Sequence, residues 1–305
     1  MMDALEIKGL SKAFGSNKVI DNISFSVPEH SVFGFLGQNG AGKTTTMKMI
    51  LGLLKADQGS IQVLGEKVAY GETKTNKNVG YLPDVPEFYG YMKPLEYLKL
   101  CGEITGLSKD QIKNRSHEIL EMVGLGGANK RIGGFSRGMK QRLGIAQALL
   151  NEPRLLICDE PTSALDPVGR KEILDVLCQV RGQTTVLFST HILSDVERIC
   201  DSVAVLHQGQ LALCGSLEAL KLKHSQDQLF LEFRSAKDRE KFMGLSKAWT
   251  LSLKEEGNSG IIITSTSLKD MEKQVLSILY KDALLPLKME ILEPSLENLF
   301  MEVVK

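Results

Sequence analysis

Long apolar runs, a basic excess and paired cysteines are all missing from this 305-residue chain. No apolar stretch approaches the ~18 to 20 residues that a membrane-spanning helix needs. The longest candidates, such as 47–54, are broken by Lys48 and Gly52. The N-terminus lacks the charged, apolar and small-residue succession of a secretory signal, so no leader is expected. The five cysteines are odd in number and include no C-x-x-C pair. That argues against a disulfide framework and a zinc site and fits small buried hydrophobes in a reducing cytosol. Lys plus Arg and Asp plus Glu both total 37. The chain therefore lacks the basic footprint of a nucleic-acid binder, and no nucleic-acid partner is expected. With 43% apolar and 24% charged residues it has a globular composition.

Glycine and proline divide the chain. Only three of the 28 glycines (Gly244, Gly257, Gly260) and two of the nine prolines (Pro286, Pro294) fall after residue 220. A polar stretch at 221–228, after an expected helix at 216–220, sets the boundary, giving domains 1–220 and 221–305. Runs 32–36, 155–158, 185–188 and 203–206 are short and mostly apolar, as in strands buried on both faces of a parallel sheet. Runs 4–10 and 19–25 alternate and suit an antiparallel edge. Helices are expected over 44–53, 94–102, 108–123, 137–150, 168–180 and 193–199, with Ser108 and Gln111 forming a capping box. The tail reads as strand 228–233, helix 237–243, strands 249–254 and 261–264, helix 268–279, strand 287–292 and a short helix from Ser295. That order suits a small α+β domain without a chemical motif of its own.

Two motifs carry chemistry. Gly37-Gln38-Asn39-Gly40-Ala41-Gly42-Lys43-Thr44 fits G-x-x-x-x-G-K-[ST] between an apolar strand and a helix. Its glycines let backbone N–H groups converge on an anion at the positive end of a helix. Asn39, Gly40, Ala41, Gly42, Lys43, Thr44 and Thr45 are the candidate phosphate cradle, with the Thr44 hydroxyl available to Mg²⁺. The second motif, 155–160, is an apolar strand ending in Asp159 and Glu160. Strand ends meet the ligand crevice in open α/β sheets. There Asp159 can hold Mg²⁺ and Glu160 can take a proton from an attacking water.

Between the two motifs, Phe135-Ser136-Arg137-Gly138-Met139-Lys140-Gln141 opens a helix. The ordered set resembles the ATP-binding subunit of an ABC transporter, over about residues 3–220. The resemblance implies a P-loop NTPase α/β fold with a mixed sheet and a helical subdomain inserted at about 85–150. The cofactors it implies are ATP and Mg²⁺. Lys43 and Thr44 match the Walker A lysine and threonine, Asp159 the Walker B aspartate, and Glu160 the catalytic glutamate. Ser163-Ala164-Leu165-Asp166 matches the D-loop, and His191 the switch histidine that senses γ-phosphate. Phe14 stands where the family stacks an aromatic on adenine. Ser136 and Gly138 match signature residues that bind γ-phosphate across a dimer of subunits.

The chain departs from the family twice. The usual signature Leu-Ser-Gly-Gly-Gln is here Phe135-Ser136-Arg137-Gly138-Met139, and Asp84 replaces the usual glutamine of the Mg²⁺-facing loop. Tyr81, Phe88, Tyr89, Tyr91 and Tyr97 crowd a proline-bearing segment, an arrangement that suits an interface. Phe88, Tyr89 and Tyr91 are expected to be partly exposed, and Tyr81 and Tyr97 packed. The resemblance implies a separate polytopic permease as partner, a second ATP-binding subunit, and a place on the cytoplasmic face of the membrane. The Asp84 loop and the tail are most similar to bacterial export-type subunits. A single cassette without a long coiled-coil insertion disfavours a soluble ABC protein of repair or translation. Glu160, Lys43 and His191 together disfavour a degenerate nucleotide-binding module.

Overall fold

Phe25 organises the first layer of the computed structural model, which describes residues 3–72, 74–223, 227–245, 252–265, 267–292 and 300. It lies on β2 (Asn17–Pro28), which pairs antiparallel with β1 (Asp3–Phe14). Its ring stacks on Phe33 and Phe35, at centroid distances of 5.6 and 5.4 Å. Both partners belong to β3 (Val32–Gly37), which is buried at every position. α1 (Lys43–Ile50), β4 (Gln58–Val63) and β5 (Glu66–Lys67) follow. β1, β2, β4 and β5 form a sheet in the order β2-β1-β4-β5. The alternating runs therefore form a separate antiparallel sheet and not the edge of the parallel one. The physical reason is that β1 hydrogen-bonds to β2 and β4 while its apolar side chains share a core with β3.

Next come β6 (Val79–Leu82) and the helices α2 (Pro94–Ile104), α3 (Lys109–Met122) and α4 (Arg137–Leu149). Ser108 Oγ accepts the Gln111 N–H while Gln111 Oε1 accepts the Ser108 N–H, so the capping box starts α3. The Tyr97 hydroxyl donates to Gln147 Oε1 at 2.9 Å and ties α2 to α4. β7 (Leu155–Asp159), α5 (Pro167–Gln179), β8 (Thr185–Thr190), α6 (Leu193–Ile199), β9 (Ser202–His207) and β10 (Gln210–Ser216) complete this part. The second sheet runs β10-β9-β3-β8-β7-β6, parallel except for the antiparallel β10. It is the mixed sheet that the resemblance implies. The C-terminal ends of β3, β7 and β8 share one edge, with Leu36 opposite Thr190 and Asp159 opposite Ser189.

One compact unit runs to Leu217 and a second starts at Glu218, within α7 (Leu217–Lys223). The second unit contains β11 (Asp227–Phe233), α8 (Ala236–Leu245), β12 (Ser252–Glu256), β13 (Gly260–Ser265), α9 (Leu268–Lys281) and β14 (Pro286–Leu292). Its antiparallel sheet has the order β12-β13-β11-β14, the β-α-β-β-α-β arrangement of ferredoxin-like domains. Leu229, Leu231, Phe233, Phe242, Ile261, Ile263 and Met271 form its own core.

Several bounds differ from expectation. α1 stops at Ile50 because Gly52 turns to φ +69°, where an added Cβ would press on the Ala69 carbonyl oxygen at 2.9 Å. β4, β6 and β10 lack a strong alternating pattern and were not expected. The strand expected at 249–254 runs Ser252–Glu256 among the described residues. Trp249 and the helix expected from Ser295 lie outside them.

Gly80 fixes the spacing between β6 and α4. A Cβ there would sit 2.2 Å from the Ala148 carbonyl oxygen and 3.0 Å from Pro153. Backbone cannot yield cheaply, so Gly80→Ala should destabilise the first unit by about 1–3 kcal/mol. Thermal unfolding checks this. An unchanged midpoint would show that α4 moves freely over β6.

Candidate nucleotide-binding site

The loop after β3 approaches α1 with two glycines in left-handed conformation, Gly40 at φ +83° and Gly42 at φ +109°. At Gly42 a Cβ would also press on Ile20 Cδ1 at 2.4 Å and on the Val19 carbonyl oxygen at 3.1 Å. Gly42 is the N-cap of α1 and supplies no side-chain cap. The first-turn N–H groups therefore have no capping side chain and are available to an anion at the positive helix end.

Lys43, the first residue of α1, is 5% exposed. Its Nζ donates to the Gly37 carbonyl at 2.6 Å and the Gln38 carbonyl at 3.2 Å, and lies 3.0 Å from Glu160 Oε1. That last contact is an ion pair without hydrogen-bond alignment, so Glu160 Oε1 is buried and accepts no hydrogen bond. The other Glu160 oxygen lies 2.9 Å from His191 Nδ1. Glu160 itself has φ +48°, a conformation that L-residues with a Cβ usually avoid. Its N–H donates to Ser189 Oγ at 3.0 Å, and its carbonyl accepts the Ser163 N–H at 3.1 Å. This turn carries the carboxylate from the end of β7 to the mouth of the cleft.

Asp159 is 1% exposed and accepts from two hydroxyls, Thr44 Oγ1 at 2.6 Å and Ser189 Oγ at 2.6 Å. A hydroxyl and a carboxylate side by side are hard oxygen donors suited to Mg²⁺, which binds through one or two carboxylates plus phosphates. Among the described residues no cluster of three or more His, Cys, Asp or Glu side chains forms an all-protein metal cage. The donor set fits a metal that arrives with phosphate.

A cleft of about 280 Å³ brings together Asn39, Gly40, Gly42, Lys43, Thr44, Thr45, Asp84, Glu160, Ser163 and His191. Burial raises the pKa of the Asp84 carboxyl. The nearby Arg137 guanidinium opposes that shift, and the charges of Asp159 and Glu160 reinforce it.

The ABC transporter family profile matches residues 20–163. The uncharacterized ABC transporter ATP-binding protein YxlF of Bacillus subtilis (strain 168) is 47% identical over 71% of this chain and 72% of its own. The bacitracin transport ATP-binding protein BcrA of Bacillus licheniformis is 35% identical over 100% of this chain and 98% of its own. The linearmycin resistance ATP-binding protein LnrL of B. subtilis (strain 168) is 32% identical over 98% and 97%. A solved ATP-binding subunit of an ABC transporter superposes with a TM-score of 0.65 at 33% identity, over 72% of this chain and 92% of that one. This chain belongs to the ATP-binding subunits of ABC transporters. Such subunits are ATPases that work with membrane permeases.

Not every residue singled out in the ABC sequence pattern lines the cleft. Phe14 ends β1 with half its surface exposed, and Lys12 Nζ lies 5.3 Å from its ring centroid. Ala41 packs against the antiparallel-sheet core. Ser136 caps α4 by accepting the Met139 N–H at 3.2 Å, and Asp166 caps α5 by accepting the Gly169 N–H at 2.9 Å. These residues and Gly138 stand outside the cleft lining of their own chain. Beyond the sequence reading, the structure adds Ser189, which joins Asp159 to the Glu160 backbone. It also adds Asp195, which is 2% exposed and accepts from Thr162 Oγ1 at 2.7 Å and Arg170 Nε at 2.6 Å.

Ser189→Ala would leave an Asp159 oxygen and the Glu160 N–H unpaired in a buried place. The penalty should be about 2 kcal/mol, or roughly 4–8 °C for a unit of this size. A thermal midpoint equal to the parent's would contradict the bridging role.

Proposed function

We propose that this subunit hydrolyses Mg-ATP with Glu160 as general base and drives an export permease from the cytoplasmic membrane face. The observation carrying the proposal is the Glu160 carboxylate, held between Lys43 and His191 with one buried oxygen that accepts no hydrogen bond. That oxygen is a ready acceptor for a water proton. Phosphate oxygens entering the Gly40–Gly42 loop meet the α1 N–H groups, and the Lys43 ammonium turns from Glu160 toward them. Mg²⁺ held by Thr44 and Asp159, with Asp84 on the same wall, would draw off charge developing on the transferred phosphoryl group. His191 orients Glu160 and faces the γ-phosphate.

Ser136 and Gly138 do not line the cleft of their own chain, which supports a reading in which they serve a second subunit. Two ATP molecules would then lie between two protomers, and a homodimer suffices because each chain carries both halves. Closure and hydrolysis would alternate the permease between conformations. Tyr89 and Tyr91 are exposed on the loop before α2 and offer the permease contact surface. No described helix is long and apolar enough to cross a membrane, so we assign the transport path to a separate subunit. Export follows the two near-full-length relatives named for bacitracin transport and linearmycin resistance. We assign residues 221–305 an accessory role in dimerisation or permease contact.

Glu160→Gln should retain ATP binding and lose hydrolysis by about 10²- to 10⁴-fold. It should also accumulate as an ATP-bound dimer in sedimentation with Mg-ATP. Lys43→Ala should weaken nucleotide binding and form no such dimer. Turnover of Glu160→Gln near the parent rate would remove Glu160 from the chemistry. A blocked, ATP-loaded monomer would remove the composite dimer. Truncation after Lys223 should leave nucleotide affinity within about threefold, or ~0.7 kcal/mol, by equilibrium titration. A folded fragment that no longer binds ATP would give the tail a part in the site.

A further inference from the structure

Two of the positions where this chain departs from the family pattern, Arg137 and Asp84, form an ion pair. Arg137 stands in the signature turn and Asp84 on the wall of the nucleotide cleft. Arg137 Nη2 lies 3.5 Å from Asp84 Oδ1. One turn along α4, the fully buried Gln141 donates from Nε2 to the Asp84 backbone carbonyl at 2.7 Å. Residues four apart share a helix face, so α4 grips residue 84 twice, at its backbone and at its charge. The signature serine, Ser136, caps the same helix.

Three carboxylates (Asp84, Asp159, Glu160) stand at or beside the cleft, which has one buried ammonium, Lys43. Lys43 pairs with Glu160 and Asp159 accepts two hydroxyl hydrogen bonds. Asp84 Oδ1 accepts no hydrogen bond and has Arg137 as its ion-pair partner. With both side chains about half exposed, the pair contributes little to fold stability. In this structure it faces the Asp84 carboxylate toward α4. Turned toward α4, its charge is offset by the guanidinium; released, it would add an unpaired negative charge to the cleft wall, which repels metal-free nucleotide and attracts Mg²⁺.

We propose that Arg137 is a positioning residue for Asp84: its guanidinium holds the carboxylate against α4 and thereby sets how strongly nucleotide binding depends on Mg²⁺. The inference rests on the ATP reading of the cleft and adds a cis connection between signature turn and metal end. Asp84 and Arg137 then act as one unit, so losing either member alone has a consequence that losing both does not double.

The test uses the full chain and a fluorescent ATP analogue, titrated with Mg²⁺ and with EDTA. The quantity compared is the ratio of the two affinities in the parent, Arg137→Gln, Asp84→Asn, the double variant and Arg137→Lys. Arg137→Gln should raise the ratio in the parent background at least threefold more than in the Asp84→Asn background, while Arg137→Lys stays near the parent. Only the difference between backgrounds isolates the pair, because removing a guanidinium also changes the charge near the cleft by itself. Equal changes in both backgrounds would overturn this inference alone. A parent that binds the analogue under neither condition would overturn the ATP reading and this inference with it.

Discussion

A buried lysine needs oxygen atoms around its ammonium, and much of this site follows from supplying them to Lys43. Two come from the backbone at the end of β3, whose Gly37 and Gln38 carbonyls accept its protons. The third partner is Glu160, which reaches Lys43 because the chain after β7 takes a left-handed turn. That turn is held by the Glu160 N–H on Ser189. Ser189 lies opposite Asp159 because β7 and β8 are parallel neighbours in that register. The same register brings Asp159 to Thr44 at the start of α1. The loop before α1, Asp159 and Glu160 are therefore one connected hydrogen-bond and ion-pair network, spread over three adjacent strand ends.

Such a network is stable only if its scaffold does not yield. β3, β7 and β8 are buried at every position, and interiors packed to that degree transmit displacement and do not absorb it. The glycines complete the constraint. Gly42 lets the loop lie against Ile20 of β2, and Gly80 brings α4 onto β6. One close contact sets the loop before α1 and the other sets α4. The second unit has its own sheet and core, while every residue lining the cleft belongs to the first.

What could be read from the amino-acid order was whatever has a local pattern. The Gly37–Thr44 loop, the acids ending 155–160 and the capping box at Ser108 each combine residue type with spacing. Ser189 had no such signal: a serine in a buried apolar strand is unremarkable until β8 is known to lie beside β7. Asp195 and Arg170 meet across 25 residues for the same kind of reason. β6 was missed because four residues containing a glycine carry too little periodicity, although its neighbour Asp84 was singled out. Runs 4–10 and 19–25 were legible as strands, but their membership of a separate sheet depends on β4, which the sequence did not announce. The Asp84–Arg137 contact was the least accessible of all. Each residue was noticed as a departure, yet nothing in the linear order says that they meet.

On nucleotide binding, we propose, Lys43 exchanges Glu160 for phosphate while Asp159 and Thr44 hold the metal. A structure of the full chain with Mg²⁺ and a non-hydrolysable ATP analogue tests it most directly. Terminal phosphate oxygens should lie within hydrogen-bond distance of Lys43 Nζ, metal against Thr44 Oγ1 and on the Asp159 side of the cleft, and a water between Glu160 and the γ-phosphate. Nucleotide bound with the Lys43–Glu160 ion pair intact, or with the metal remote from Thr44 and Asp159, would contradict it.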